Sequence, residues 1–278
     1  MHPRQRTTLE RIFRAGLNAV EPEQAVKKFV KRAGSRLQVG SRSYDLANYK
    51  KVLLVGAGKG AAPMAKALEE LLGDSLTAGC IIVKYGHGLH LHKTELIEAA
   101  HPIPDNAGTQ GTERILKVLQ QCSAEDLVLC VFSGGASALM PAPAASISLS
   151  QKQEATRLLL ECGATIDEIN TVRKHLSRIK GGGLARTASP AAVVGLILSD
   201  VLGDRLDVIA SGPTVPDPTT YRDCLSVVEK YDLADKLPRE VLRVFQEGAA
   251  GRLPETAKSG DPAFSGVQNL ILGNNLAE

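Results

Sequence analysis

A chain of 278 residues has room for one large domain or two ordinary ones, with a sizeable core. Its 44% hydrophobic and 23% charged residues are the balance of a soluble globular protein, and no apolar run reaches the roughly 18 residues of a membrane span. A net charge of +3, scattered cations and only five Phe, five Tyr and no Trp exclude the basic, aromatic-rich face of a nucleic-acid binder.

The five cysteines (Cys80, Cys122, Cys130, Cys162 and Cys224) are odd in number and contain no C-x-x-C pair, so free, mostly buried thiols in a reducing compartment are expected. Met1 to Arg6 lead into an amphipathic pattern without a secretory apolar segment, which points to the cytoplasm.

Leu9, Ile12, Phe13, Leu17 and Val20 recur at helical spacing, predicting a helix over 7–18. A second helix is expected over 22–32, opened by Pro22 in its first turn. Leu37 to Leu46 alternate around Gly40-Ser41, a hairpin signal. The pattern then changes to short aliphatic runs alternating with helical stretches. Strands are expected at 52–55, 80–83, 96–99, 127–132, 193–198 and 269–272. Helices are expected at 61–72, 107–121, 150–162 and 167–179 and within 220–246, with a Gly/Pro/Lys-rich loop over 249–265. Such alternation predicts an α/β fold on a mainly parallel sheet, preceded by N-terminal helices and a hairpin. The last strand runs into Gly273-Asn274-Asn275 and a helix is expected to begin at Leu276-Ala277-Glu278; the chain therefore reads as an N-terminal fragment of a longer protein.

Chemistry concentrates where these strands end. Gly56-Ala57-Gly58-Lys59-Gly60-Ala61 fits G-x-G-x-x-A between a strand and a helix, where backbone N–H groups attract phosphate. A dinucleotide site also wants an acid about 20 residues on; the second strand instead ends in Lys84-Tyr85-Gly86-His87, which disfavours NAD while a 2′-phosphate would tolerate the lysine. Ser133-Gly134-Gly135-Ala136-Ser137 is a second strand-to-helix glycine turn with two hydroxyls. Asn170, Arg173, Lys174 and Ser177 share one side of a helix by i, i+3, i+4, i+7 spacing, before Lys180 and the glycine run Gly181-Gly182-Gly183. The Val193–Leu198 run stops at Asp200, with Asp204 four residues on and Ser211-Gly212-Pro213-Thr214 beyond. Paired carboxylates at a strand tip suit Mg²⁺, which commonly takes one or two carboxylates plus substrate phosphates. His87, His90 and His92 cluster without zinc-ligand spacing.

In order across nearly the whole chain, the strings Val55-Gly56-Ala57-Gly58-Lys59, His101-Pro102-Ile103-Pro104-Asp105, Phe132 to Leu139, Asn170 to Ser177 with Lys180-Gly181-Gly182, and Leu198 to Val201 through Gly212-Pro213-Thr214 resemble the N-terminal domain of the glycerate 2-kinases whose C-terminal part is called the MOFRL domain. The resemblance implies that residues 1–278 are that Rossmann-like α/β/α domain, facing across a cleft a MOFRL domain absent from this chain. It implies ATP-dependent phosphorylation of D-glycerate to 2-phosphoglycerate by the parent protein, with ATP and Mg²⁺ as cofactors. Carried over by motif, Lys59 and Arg173 are the catalytic cations; Gly56, Gly58, Ser133, Gly134, Gly135, Ser137, Asn170 and Lys180 hold phosphate or substrate; Asp200 and Asp204 hold the metal. Nucleic-acid and membrane partners are not expected, and a homo-oligomer is compatible. Two other readings remain: an NAD(P)H-dependent hydroxypyruvate reductase using the Gly56 loop, and a non-catalytic fragment that binds phosphate ligands.

Overall fold

The computed structural model describes residues 3–19 and 21–274. In chain order it has α1 (Pro3–Ala19), α2 (Pro22–Phe29), β1 (Val30–Ala33), β2 (Arg36–Val39), β3 (Arg42–Asp45), β4 (Lys51–Ala57), α3 (Ala61–Leu72), β5 (Ala78–Lys84), β6 (Thr94–Ala99), α4 (Asn106–Leu119), β7 (Asp126–Phe132), α5 (Ala136–Leu139), α6 (Leu149–Glu161), α7 (Ile166–His175), α8 (Gly183–Ala188), β8 (Ala192–Leu198), α9 (Tyr221–Lys230), α10 (Arg239–Ala249) and β9 (Val267–Gly273).

The main sheet is six-stranded, in the order β6-β5-β4-β7-β8-β9, and every neighbouring pair is parallel. The chain thus lays down three strands in one direction, returns to the middle, and lays three more the other way. That is the doubly wound order, and its reversal lies between β4 and β7.

Burial explains why the strands are aliphatic runs rather than alternating ones. Along β4, Val52 and Leu54 pack with α2, α3 and the N-terminal strands, while Leu53, Val55 and Ala57 pack with α4 and α8 on the other face. Both faces are dry, so both parities must be apolar. Each such side chain contributes about 1.5–3 kcal/mol by leaving water. A third apolar cluster joins α6, α7, α9 and α10 through Leu159, Val172, Cys224 and Phe245. The N-terminal hairpin turns at Gly40-Ser41, with Val39 opposite Arg42, and is tied to the sheet edge where the Tyr44 hydroxyl donates to Gln268 Oε1 at 2.6 Å.

Several boundaries differ from the sequence reading. The second helix stops at Phe29 rather than Arg32, because Val30 turns extended and pairs with Val39. The helix expected to reach Ile179 ends at His175, and α8 was not foreseen. Helix α1 forms, but Leu9, Ile12 and Phe13 are 55%, 63% and 67% exposed, so its apolar side is left uncovered by the described residues. The expectations for Val20 and for the helix at 276–278 lie outside the described residues. All five cysteines are free, three of them buried, and burial pushes the Cys80 thiol up to about 11. No described helix is long and apolar enough to cross a membrane.

Candidate active site

The carboxyl ends of β4 and β7 lie side by side, Ala57 opposite Phe132. The loops that leave them are stitched together. Ser133 N–H donates to Ala57 O at 3.2 Å and Lys59 N–H to Gly134 O at 2.9 Å. Gly60 N–H donates to Ser133 Oγ at 2.9 Å. The approach is close enough to require glycine: a Cβ on Gly58, whose φ is +140°, would stand 2.1 Å from Ser133 Oγ, and one on Gly56 2.0 Å from Val131 O. Helix α3 begins here with no side-chain cap, so its positive end opens onto this edge.

Lys59, Asp200 and His101 meet over Gly134-Gly135. A Cβ on Gly134 would lie 2.5 Å from Asp200 Oδ2 and 3.6 Å from Lys59 Cε. On Gly135, at φ +90°, it would lie 3.0 Å from His101 Nε2 and 3.6 Å from Lys59 Cγ. Burial, with the charges of Lys59 and Lys84 behind it, holds the His101 imidazole below its ordinary range, and Asp200 opposes them. The ring is therefore neutral at pH 7. The sequence analysis has His101 only within the resemblance motif and gives it no role; its signal is a histidine just past the tip of a strand.

A second constellation stands at Ser137. Its Oγ accepts from Arg173 Nη2 at 2.7 Å and from Lys180 Nζ at 2.9 Å, and Lys180 also donates to Ser137 O at 2.7 Å. Ser211 Oγ donates to Asn170 Oδ1 at 3.1 Å, so the 2.8 Å contact between Ser137 and Ser211 must run from the Ser137 hydroxyl. Arg173 and Lys180 thus share the Ser137 hydroxyl, and Asn170 joins them one step away through Ser211. Lys174 and Ser177 do not. Lys174 is buried against Asp217 at 3.2 Å, and Ser177 lies past the end of α7. The hydroxyls of Ser133 and Ser137, read as ligand donors, are both engaged by the protein's own groups. Lys152, which sequence reasoning passed over, is buried beside this cluster and donates to Leu176 O at 2.8 Å and Arg173 O at 3.3 Å.

The two metal candidates share one loop. Asp200 faces Gly134, whereas Asp204, at φ +52°, accepts from Asn274 Nδ2 through Oδ2. Asp204 Oδ1 is buried and, among the described residues, has no hydrogen-bond partner. No group of three or more His, Cys, Asp or Glu capable of enclosing a metal occurs among the described residues.

Fold and edge together define a doubly wound parallel α/β protein whose cationic and acidic loops converge at the point where strand order reverses. A family model described as a domain of unknown function, DUF4147, matches residues 8–246, and the chain belongs to that family. It is 39% identical over 265 residues to a glycerate 2-kinase of Pyrococcus horikoshii, covering 95% of this chain and 58% of that protein. It is 43% identical over 235 residues to a D-glycerate 2-kinase of Thermotoga maritima, covering 84% and 53%. A crystal structure of a P. horikoshii protein superposes with a TM-score of 0.90 at 38% identity, over 97% of this chain and 60% of that one. The chain spans a little over half the length of the curated relatives it matches.

Proposed function

We propose that this chain supplies the phosphoryl-transfer site of a D-glycerate 2-kinase, which uses ATP to make 2-phosphoglycerate and works with a C-terminal second domain. The observation that carries the reading is the meeting of Lys59 and Asp200 over Gly134, at the strand-order reversal where open α/β sheets bind ligands. Phosphoryl transfer asks chiefly for positioning and charge neutralisation. Lys59 steadies negative charge on the migrating group. The backbone of Gly56 and Gly58 allows close approach, and the uncapped start of α3 faces the phosphates. Asp200 and Asp204 would hold Mg²⁺, the buried Oδ1 of Asp204, which has no hydrogen-bond partner among the described residues, being the better fitted atom. Bound there, the ion supplies charge neutralisation on the nucleotide phosphates. Lys180 directly, and Asn170 through Ser211, set Ser137, and with it the loop that carries Gly134.

The test is ADP release on adding ATP, Mg²⁺ and D-glycerate, with ³¹P NMR to tell 2- from 3-phosphoglycerate. Glycerate-dependent ADP and the 2-phospho product are expected, and Lys59→Ala lowers kcat by about 100- to 1000-fold, the scale of losing one transition-state charge contact. ADP release indifferent to D-glycerate refutes the proposal. So does steady oxidation of NADH by hydroxypyruvate without ATP.

A further inference from the structure

Arg173 is partly exposed and has five N–H donors, of which the described residues engage one, by Ser137 Oγ at 2.7 Å. Two more cations are buried around it. Lys180 reaches the same hydroxyl, and Lys152 holds the carbonyls of Arg173 and Leu176 at the end of α7. Among the described residues none of the three has a carboxylate within ion-pair distance, although the adjacent Lys174 has Asp217 at 3.2 Å and Asp207 at 3.8 Å. Burial, with the Arg173 charge adding to it, drives both lysines well below the ordinary range. Arginine does not release its proton in proteins, so Arg173 carries a lasting charge, with donors to spare. An unpaired cation held in a buried mount is costly unless an anion comes to it.

We propose that Arg173, mounted on Ser137 and positioned by Lys152 and Lys180, clamps the carboxylate of the hydroxy-acid substrate, next to the C2 hydroxyl that takes the phosphoryl group. The planar guanidinium fork matches a carboxylate two bonds at a time. This rests on the kinase reading and assigns one end of its substrate.

The test compares D-glycerate with glycerol, which has the same carbon skeleton without the carboxylate, in wild type, Arg173→Met, Arg173→Lys and Lys152→Met. Arg173→Met is expected to raise KM for D-glycerate by about 100-fold, the cost of truncating one partner of a desolvated charge pair. It should leave KM for ATP within about threefold and collapse the glycerate-to-glycerol ratio of kcat/KM. Arg173→Lys, which keeps the charge if the methionine variant fails to fold, restores part of the affinity. Lys152→Met raises KM for D-glycerate by about tenfold with ATP again unmoved, which a general loss of stability would not do; these are the lesser effects expected of a residue acting through a neighbour. A rise in KM for ATP instead, or an unchanged glycerate-to-glycerol ratio, overturns the clamp. Should wild type make no phosphoglycerate, the kinase reading falls by itself; calorimetric titration of D-glycerate then decides the clamp, equal affinity in wild type and Arg173→Met ending it.

Discussion

Gly134 shows how little room the candidate site leaves. Its missing Cβ is what lets Asp200 Oδ2 and Lys59 Cε border the same small space. A methyl group there meets the ends of two flexible side chains rather than backbone, so the fold tolerates it and the alignment of charges does not. Gly134→Ala is expected to keep the thermal midpoint within about 4 °C, since surface-facing changes stay near ±0.5 kcal/mol. Turnover should drop by about 100-fold, because small misplacements of reacting groups are costly. Wild-type turnover in the alanine variant would mean that Asp200 and Lys59 are not needed at that spacing. Gly58→Ala differs, because its Cβ would run into Ser133 Oγ and, at 2.8 Å, Ser133 N, while forcing a side chain to φ +140°. Loss of the loop, and not only of turnover, is expected there.

At the scale of elements, α7 carries the cationic face, and its two ends are fastened differently. Its start is a reciprocal capping box: Thr165 N–H donates to Glu168 Oε2 at 2.8 Å, and the Glu168 N–H donates to Thr165 Oγ1. Glu168 also accepts from Lys230 Nζ at 2.6 Å and from the Tyr231 hydroxyl at 2.8 Å, tying α7 to α9. The Lys230 hydrogen bond, followed by the Thr165 amide, lowers the Glu168 carboxyl to about 2. A depressed carboxyl adds stability above its unfolded pKa, near 4.5, and loses it as pH falls toward 2. Glu168→Gln should therefore cost about 1 kcal/mol at pH 7, the usual worth of a cap. Urea melts across pH 2 to 7 should show the difference shrinking below pH 4.5; a constant gap would mean that the charge is not what holds the cap. The other end of α7 was less legible. The cationic run to Ile179 read as continuous helix, but Lys152 meets the carbonyls of Arg173 and Leu176, and the chain leaves at Ser177, where it bridges to Pro143. Neither partner is near in sequence. The same limit hid β1, whose Val-Lys-Arg-Ala has one buried residue and takes its register from β2. The inner strands β4, β5, β7 and β8 were readable because burial on both faces demands aliphatic runs.

Across the whole molecule, the reversal of strand order between β4 and β7 brings together loops far apart in sequence. Lys59, His101, Gly134 and Asp200 all leave the carboxyl edge, from β4, β6, β7 and β8. The glycine and acid motifs were visible one by one, but their convergence is a property of sheet order, which alternation of elements does not fix. The opposite edge carries a concavity of its own, lined by Lys66, Glu69, Asp74, His90, His92 and Lys93 at the start of β6. Its chemistry is already committed to the fold: Glu69 accepts the backbone N–H groups of His92, Lys93 and Thr94 at 2.7–2.8 Å. A nucleotide at the carboxyl edge instead meets the uncapped start of α3 beside Lys59. Hydrogen exchange with and without Mg²⁺-ATP should show slowed amides over 56–60, 133–137 and 199–204, and unchanged ones over 69–74 and 90–94. Protection confined to the second set would put the nucleotide on the wrong side of the sheet for Lys59 to touch it, and the kinase reading would lose its geometric basis.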